Sequence, residues 1–197
     1  CSNSEKILGT DSDYCGGGGI CGSFAFYSNE NDNRITNCSN TGVINGRGGG
    51  GICGSYCCNT DNSTIGNVTI EYCYSTGKMT RNHAGGIVGA FCGGNMEVKY
   101  SYYNYDITNN ISNNKLGGIA GSDCAIIIFN CYSIFNRNNS TNSGGIAGQT
   151  FYGSIYNCYH KGSSNGTNAG GILGGIAGAV TGAVGSVFGA ATTSIFA

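Results

Sequence analysis

The tripeptide Gly-Gly-Ile returns six times in the 197-residue chain, at Gly18-Gly19-Ile20, Gly50-Gly51-Ile52, Gly85-Gly86-Ile87, Gly117-Gly118-Ile119, Gly144-Gly145-Ile146 and Gly170-Gly171-Ile172. Each copy continues with one further residue and a glycine, so the unit is Gly-Gly-Ile-x-Gly, and successive isoleucines stand 32, 35, 32, 27 and 26 residues apart. Self-similarity at such a period marks a stacked repeat, in which a unit cannot bury its apolar side alone and uses its neighbours to do so.

A second element between the blocks sets the register. Asn37-Cys38-Ser39-Asn40, Tyr72-Cys73-Tyr74-Ser75, Asn130-Cys131-Tyr132-Ser133 and Asn157-Cys158-Tyr159-His160 share a pattern of Asn/Tyr-Cys followed by a turn, and Tyr100-Ser101-Tyr102-Tyr103 puts Ser101 in the cysteine position. From each isoleucine to the next such Cys or Ser is 18, 21, 14, 12 and 12 residues, a spread that places the insertion loops after the glycine block. Ile, Leu, Val and Phe together number only 38, yet the formal net charge is −1 and the apolar residues are periodic, which favours an ordered repeat over disorder. Glycine (37) and asparagine (25) dominate, leucine occurs three times, and β-branched residues with Tyr and Phe outnumber it. That composition predicts an all-β fold of short strands and tight turns.

Each repeat therefore reads as a short strand around Gly-Gly-Ile-x-Gly, a loop, a second strand ending near the cysteine motif, and a polar turn. Stacking such coils into a β-solenoid sets like residues above one another at about 4.8 Å. Three columns follow: Ile20, Ile52, Ile87, Ile119, Ile146 and Ile172; Cys38, Cys73, Ser101, Cys131 and Cys158; and Ala25, Cys57, Cys92, Cys124 and Phe151. The repeats occupy residues 15–168, after an N-terminal arm over 1–14, and a glycine-rich apolar tail covers 169–197.

Twelve cysteines point to an oxidising compartment and disulfides. No C-x-x-C pair and only two histidines, His83 and His160, make a zinc site the poorer reading. Stacked neighbours suggest bridges Cys21 to Cys53, Cys38 to Cys73, Cys92 to Cys124 and Cys131 to Cys158, with buried free thiols as the alternative. Seven Asn-x-Ser/Thr acceptors, at Asn37, Asn62, Asn67, Asn110, Asn138, Asn139 and Asn165, fit the same compartment. Asn62, Asn67, Asn110, Asn138 and Asn139 fall in the segments assigned to loops, whereas Asn37 directly precedes a column cysteine.

The alternation of Gly-Gly-Ile-Ala/Val-Gly with Asn-Cys-Tyr-Ser resembles the GLUG repeat of large bacterial and protist surface proteins, among them adhesins and the non-catalytic stalks of immunoglobulin A peptidases. The resemblance spans residues 15 to 174 in about five repeats. It implies a right-handed β-solenoid on the outside of a cell. Peptidase activity does not come with it, because no H-E-x-x-H stands in the chain. Cysteine in the columns departs from the commoner bacterial pattern and fits a secreted eukaryotic protein.

After Lys161 the last 36 residues carry no charge. Gly170, Gly174, Gly178, Gly182 and Ser186 recur at every fourth position, opposite Ile172, Ile176, Val180 and Val184, the small-residue device of closely packed helices. Gly174, Gly178, Gly182, Ile172, Ile176, Val180 and Val184 are thus the assembly candidates. The tail docks on another subunit, spans a membrane, or caps its own solenoid; the lack of a following Lys or Arg speaks against the span. The N-terminus, opening Cys1-Ser2-Asn3, shows no signal-peptide pattern, as expected of a processed chain or a fragment.

Catalysis has little to stand on. Cys158 and His160 share one strand face, but the cysteine belongs to a repeating column whose other members lack a histidine. The ten carboxylates are scattered, no D-x-D-x-D-G calcium loop occurs, and nine dispersed basic residues do not make a nucleic-acid surface. The expectation is a structural extracellular glycoprotein, without cofactor or metal, assembling with itself into a fibre or surface filament. The alternative is an adhesin or binding stalk on a membrane anchor.

Overall fold

The computed structural model describes residues 1–9, 16–26, 32–58, 67–106 and 110–174. These form fifteen short strands and no helix, and every pairing between strands is parallel. One sheet runs β1 (Ser2–Asn3), β4 (Ser39–Asn40), β7 (Tyr74–Ser75), β9 (Tyr102–Asn104), β12 (Tyr132–Ile134), β15 (Tyr159–Lys161). A second runs β3 (Asn33–Thr36), β6 (Asn67–Glu71), β8 (Asn95–Lys99), β11 (Ile127–Phe129), β14 (Ser154–Tyr156). Two smaller pairs join β2 (Ile7–Leu8) to β5 (Ile44–Asn45) and β10 (Asn110–Ile111) to β13 (Asn136–Arg137). Neighbours in each sheet belong to successive repeats. Parallel neighbours need a long connection, and here the remainder of the repeat supplies it.

The glycine blocks form a third ladder, but not as strands. Isolated parallel bridges join Gly18, Gly50, Gly85, Gly117, Gly144 and Gly170 in order, and Cys21, Cys53, Val88, Ala120, Ala147 and Leu173 in order. Between them each isoleucine N–H donates to the carbonyl of the next: Ile20 to Ile52 at 3.0 Å, Ile52 to Ile87 at 2.9 Å, Ile87 to Ile119 at 3.0 Å, Ile119 to Ile146 at 2.8 Å and Ile146 to Ile172 at 2.9 Å. The strand expected around Gly-Gly-Ile is thus a bend held by two bridges. Its bend follows from packing: a Cβ on the second glycine would lie 2.4 Å from Ser75 at Gly51, 2.4 Å from the Tyr103 ring at Gly86, 2.5 Å from Ser133 at Gly118 and 2.3 Å from His160 at Gly145. The block lies flat against side chains of the first sheet, and only glycine permits that approach.

Each repeat turns at left-handed corners. Residues four before the block isoleucine have positive φ at Gly48, His83, Lys115, Asn142 and Asn168, and so do residues four after it, at Phe24, Tyr56, Phe91, Asp123 and Thr150. A third set, Asn37, Tyr72, Tyr100, Asn130 and Asn157, separates the strand of the second sheet from that of the first. The left-handed region costs a non-glycine residue about 1–2 kcal/mol, which ring stacks at the aromatic corners and hydrogen bonds at the third corner help to offset. The residue after the third corner donates to the carbonyl two positions back: Cys38 to Thr36 at 3.2 Å, Cys73 to Glu71 at 3.3 Å, Ser101 to Lys99 at 2.9 Å, Cys131 to Phe129 at 3.3 Å and Cys158 to Tyr156 at 3.1 Å. Hydroxyl and thiol serve the same turn, which is why Ser101 stands in a cysteine column.

The core is a set of inward columns. Ile52, Ile87, Ile119 and Ile146 are fully buried and Ile172 is 7% exposed, whereas Ile20, in the first block, is half-buried. Ile35, Ile70, Val98, Ile128 and Ile155 form a parallel column through the second sheet. Replacing Ile87 or Ile119 by Ala should cost about 2–5 kcal/mol in urea unfolding. Gly86→Ala should cost about 1–3 kcal/mol or more, because the added methyl meets a ring and a backbone oxygen. Gly22→Ala, where no atom lies within 4 Å of the new Cβ, should change stability by less than about 0.5 kcal/mol.

Candidate functional site

Alternation along the strands of the first sheet sorts three chemistries. The cysteine column points inward, the next residue points outward, and the one after that points inward again. The outward set is Ser2, Ser39, Tyr74, Tyr102, Tyr132 and Tyr159 in register. Its four tyrosine rings stack face to face with centroids 5.1, 4.8 and 5.1 Å apart and planes within 6°. The in-register spacing of the sheet imposes this contact, and the result is a row of ring edges and phenol groups along one face. A second stack, Phe24 on Tyr56 on Phe91, lines the corner after the glycine block at 4.9 Å per step.

The inward set is polar: Asn40, Ser75, Tyr103, Ser133 and His160, all buried. Asn3 Nδ2 donates to Asn40 Oδ1 at 2.7 Å, Asn40 Nδ2 to Gly42 O at 2.8 Å, and Tyr103 OH to Gly77 O at 3.1 Å. Ser133 Oγ contacts the Gly145 carbonyl and lies 2.9 Å from His160 Nδ1. This column, two residues past each Cys or Ser, is absent from the sequence-derived site. The final residue of the Asn-Cys-Tyr-Ser motif is its signal, since strand periodicity puts that residue on the cysteine's own face.

The outer face of the second sheet carries Arg34, Thr69, Glu97, Ile127 and Ser154 in register along a shallow groove of about 560 Å³. Its charges are paired: Arg34 with Glu71, Lys99 with Glu71 at 3.9 Å and Lys99 with Glu97 at 3.5 Å. Among the described residues no group of three or more His, Cys, Asp or Glu is placed to hold a metal ion.

The eleven described cysteines are unbridged in the structure, where bridges between neighbouring repeats were expected. Cys21 faces Cys53, Cys38 faces Cys73, Cys92 faces Cys124 and Cys131 faces Cys158, as the column spacing requires. In-register parallel strands, however, keep Cβ vectors parallel, so Cβ atoms stay at about the 4.8 Å strand spacing instead of the roughly 3.5–4.5 Å of a disulfide. The thiols instead serve backbone carbonyls, Cys92 reaching Gly54 O at 3.4 Å and Cys124 reaching Gly89 O at 3.2 Å. Burial raises Cys73 to about 11 and pushes Cys92 and Cys131 well up. Half-buried Cys21 moves the other way, lowered to about 7 by the hydrogen bond from the Cys53 thiol.

The two histidines are buried and neutral. His83 Nδ1 lies 2.6 Å from Ser122 Oγ and 3.9 Å from Asp123 Oδ2. Serine and carboxylate both approach the same ring nitrogen, so the group lacks the relay arrangement of a hydrolase triad. His160 engages Ser133 while Cys158 donates to Tyr156, so the dyad imagined from spacing does not form.

Of the glycan acceptors, Asn37, Asn67, Asn138, Asn139 and Asn165 are exposed. Asn67 opens β6 and Asn110 opens β10, where loops were expected, because the apolar alternation of Val68-Thr69-Ile70 begins directly after Asn67 and Ile111 pairs with Arg137. Asn67 Nδ2 also donates to Asp32 Oδ1 at 2.6 Å. Asn62 and the side chain of Asn110 lie outside the described residues, as do Gly178, Gly182, Ile176, Val180 and Val184. Ile172 and Gly174 sit in the sixth block, stacked on the fifth, with Gly174 N–H donating to Ala147 O at 3.1 Å. No helix among the described residues is long and apolar enough to cross a membrane.

No protein-family model, curated protein or solved structure matches this chain.

Native alkylation mapped by peptide should label Cys21 with a rate that rises as pH passes through about 7, while Cys73, Cys92 and Cys131 react only on unfolding. Equal labelling of all four in the native protein would remove this assignment. Burial first, then Lys115 and Arg47, lowers His83 to about 4, and burial then Arg137 lowers His160 to about 3. The unfolded chain takes these protons near 6.5 and the folded one does not, so stability is full above 6.5 and falls as pH drops toward 4 and 3. His83→Gln should flatten the upper part of that decline in urea midpoints measured against pH.

Proposed function

We propose that the chain is a right-handed β-solenoid of about five coils, serving as a structural, extracellular glycoprotein that assembles with itself into a fibre or surface filament. The observation that carries this reading is the unbroken parallel ladder from Gly18 to Gly170 with sheets that end on one-sided strands. Among the described residues β14 and β15 pair on one side only, and so do β3 and β1 at the opposite end. A strand edge of this kind is a template for another chain, and a head-to-tail contact that does not close yields a filament. The right-handed sense follows from the strong preference of parallel crossovers. The GLUG resemblance adds weight to both the handedness and the surface location.

The glycoprotein part rests on exposed Asn37, Asn67, Asn138, Asn139 and Asn165, since the free thiols lend the oxidising compartment no support of their own. A second reading, a membrane-anchored adhesin or binding stalk, is favoured by the tyrosine row of the first sheet, a regular amphipathic face for a partner.

Electron microscopy of the intact chain should show filaments one solenoid wide, and truncation after Gly174 separates the joints. Filaments that persist place the contact at the strand edges; filaments lost from a still-folded truncate place it in the tail. An intact protein that stays monomeric in buffer refutes the filament reading, and partition into detergent as a monomer favours the adhesin. Peptide mass spectrometry of native material should find glycans on at least three acceptors, and bare asparagine at all seven would end the glycoprotein claim.

A further inference from the structure

One inward column changes character along its length. Ile7 pairs with Ile44 and Ile44 with Met79, but farther along Ile111 pairs with Arg137 and Arg137 with Ser164. A position held by aliphatic side chains elsewhere is here a guanidinium, fully buried. Arg137 Nη2 donates to Gly170 O at 3.0 Å, and the guanidinium sits 5.1 Å from the Phe135 ring centroid. Among the described residues its Nε and Nη1 have no hydrogen-bond partner, and neither do the buried Ser164 hydroxyl and His160 Nε2. His160 packs edge-on against the same Phe135 ring at 5.1 Å, and Ser164 is the in-register partner of Arg137, so the three residues belong to one corner of the stack.

Charge makes this corner unlike an ordinary polar flaw. Burial lowers Arg137, to about 9, with no carboxylate among the described residues acting on it, so the side chain remains a cation at neutral pH. A buried charge persists only when it is paired, and unpaired buried donors carry their full desolvation cost. The nearby imidazole cannot serve as counter-charge, because it is neutral or cationic. What the corner lacks is one negative charge of small size.

We propose that Arg137, Ser164 and His160 form an internal binding site for a small monovalent inorganic anion of the halide class. Arg137 Nε and Nη1 and the Ser164 hydroxyl supply donors. The imidazole Nε2 closes the site, through one water when neutral and directly when protonated. A bound halide fastens two successive repeats to each other across the Arg137–Ser164 pairing. This site is independent of whether the protein forms filaments.

The test uses the full chain, unfolded thermally at constant ionic strength with chloride exchanged for gluconate. Chloride should stabilise, and above its dissociation constant each tenfold increase should raise the folded-to-unfolded ratio about tenfold. Bromide should act alike, and a bromide-grown crystal should show anomalous density within hydrogen-bond reach of Arg137. Arg137→Met should remove the chloride dependence, as its apolar side chain needs no counter-ion. Identical unfolding in chloride and gluconate overturns the proposal, as does chloride dependence undiminished in the variant. Should Arg137→Met fail to fold, the crystal decides: a corner holding water without anomalous signal overturns the site.

Discussion

The repeat depends on the contact between the second glycine of each block and the inward polar column of the first sheet. At Gly51, Gly86, Gly118 and Gly145 a Cβ would overlap Ser75, Tyr103, Ser133 and His160 respectively. Because the backbone bends flat against those side chains, the block isoleucine points into the interior and its N–H reaches the next isoleucine's carbonyl. Loss of that approach would lift the third ladder away from the sheets and open the core. A lean apolar content suffices because the backbone itself fills much of the interior volume, so few large side chains are required.

Corner chemistry carries the second constraint. Left-handed residues recur at fixed offsets, several of them bulky, among them Tyr56, Phe91, Tyr72 and Tyr100. Rings stacked on the repeat above hold the aromatic corners at Tyr56, Phe91, Tyr72 and Tyr100, and a Cys or Ser hydrogen bond two residues back holds the third corner. Cysteine is therefore a turn residue here first. A thiol is small, tolerates burial and donates weakly to a carbonyl, and the parallel register that aligns the thiols also holds their Cβ atoms too far apart for a relaxed disulfide.

Buried polarity is distributed unevenly. In the early repeats Asn40 and Tyr103 satisfy their donors on neighbouring carbonyls. Near residues 137–164 the balance fails, leaving four polar atoms, two of them Arg137's own, without a partner among the described residues. Stacked repeats tolerate such a local departure because each layer contacts only its neighbours. The outer faces show the opposite economy, with Arg34, Glu71, Lys99 and Glu97 neutralising one another and tyrosines covering one another.

The chain's own pattern determined the all-β class, the stacking of like residues and the isoleucine and cysteine columns, because periodicity and glycine spacing are local properties readable in one dimension. It also contained the polar column, in the last residue of each Asn-Cys-Tyr-Ser motif, although only alternation across a known corner reveals that Ser133 and His160 face inward. The unbridged placement of the thiols, the bend at Gly-Gly-Ile and the strand position of Asn67 were decided by tertiary geometry. Each depends on distances between residues far apart in the chain: the Cβ separation at strand spacing, the room left beside Tyr103, the register of Asn67 with Asn95. The solitary Arg137 shows the same division most sharply. Sequence presents it as one of nine dispersed bases, and the fold alone buries it without a counter-charge among the described residues, since a side chain's solvent is set by what packs around it.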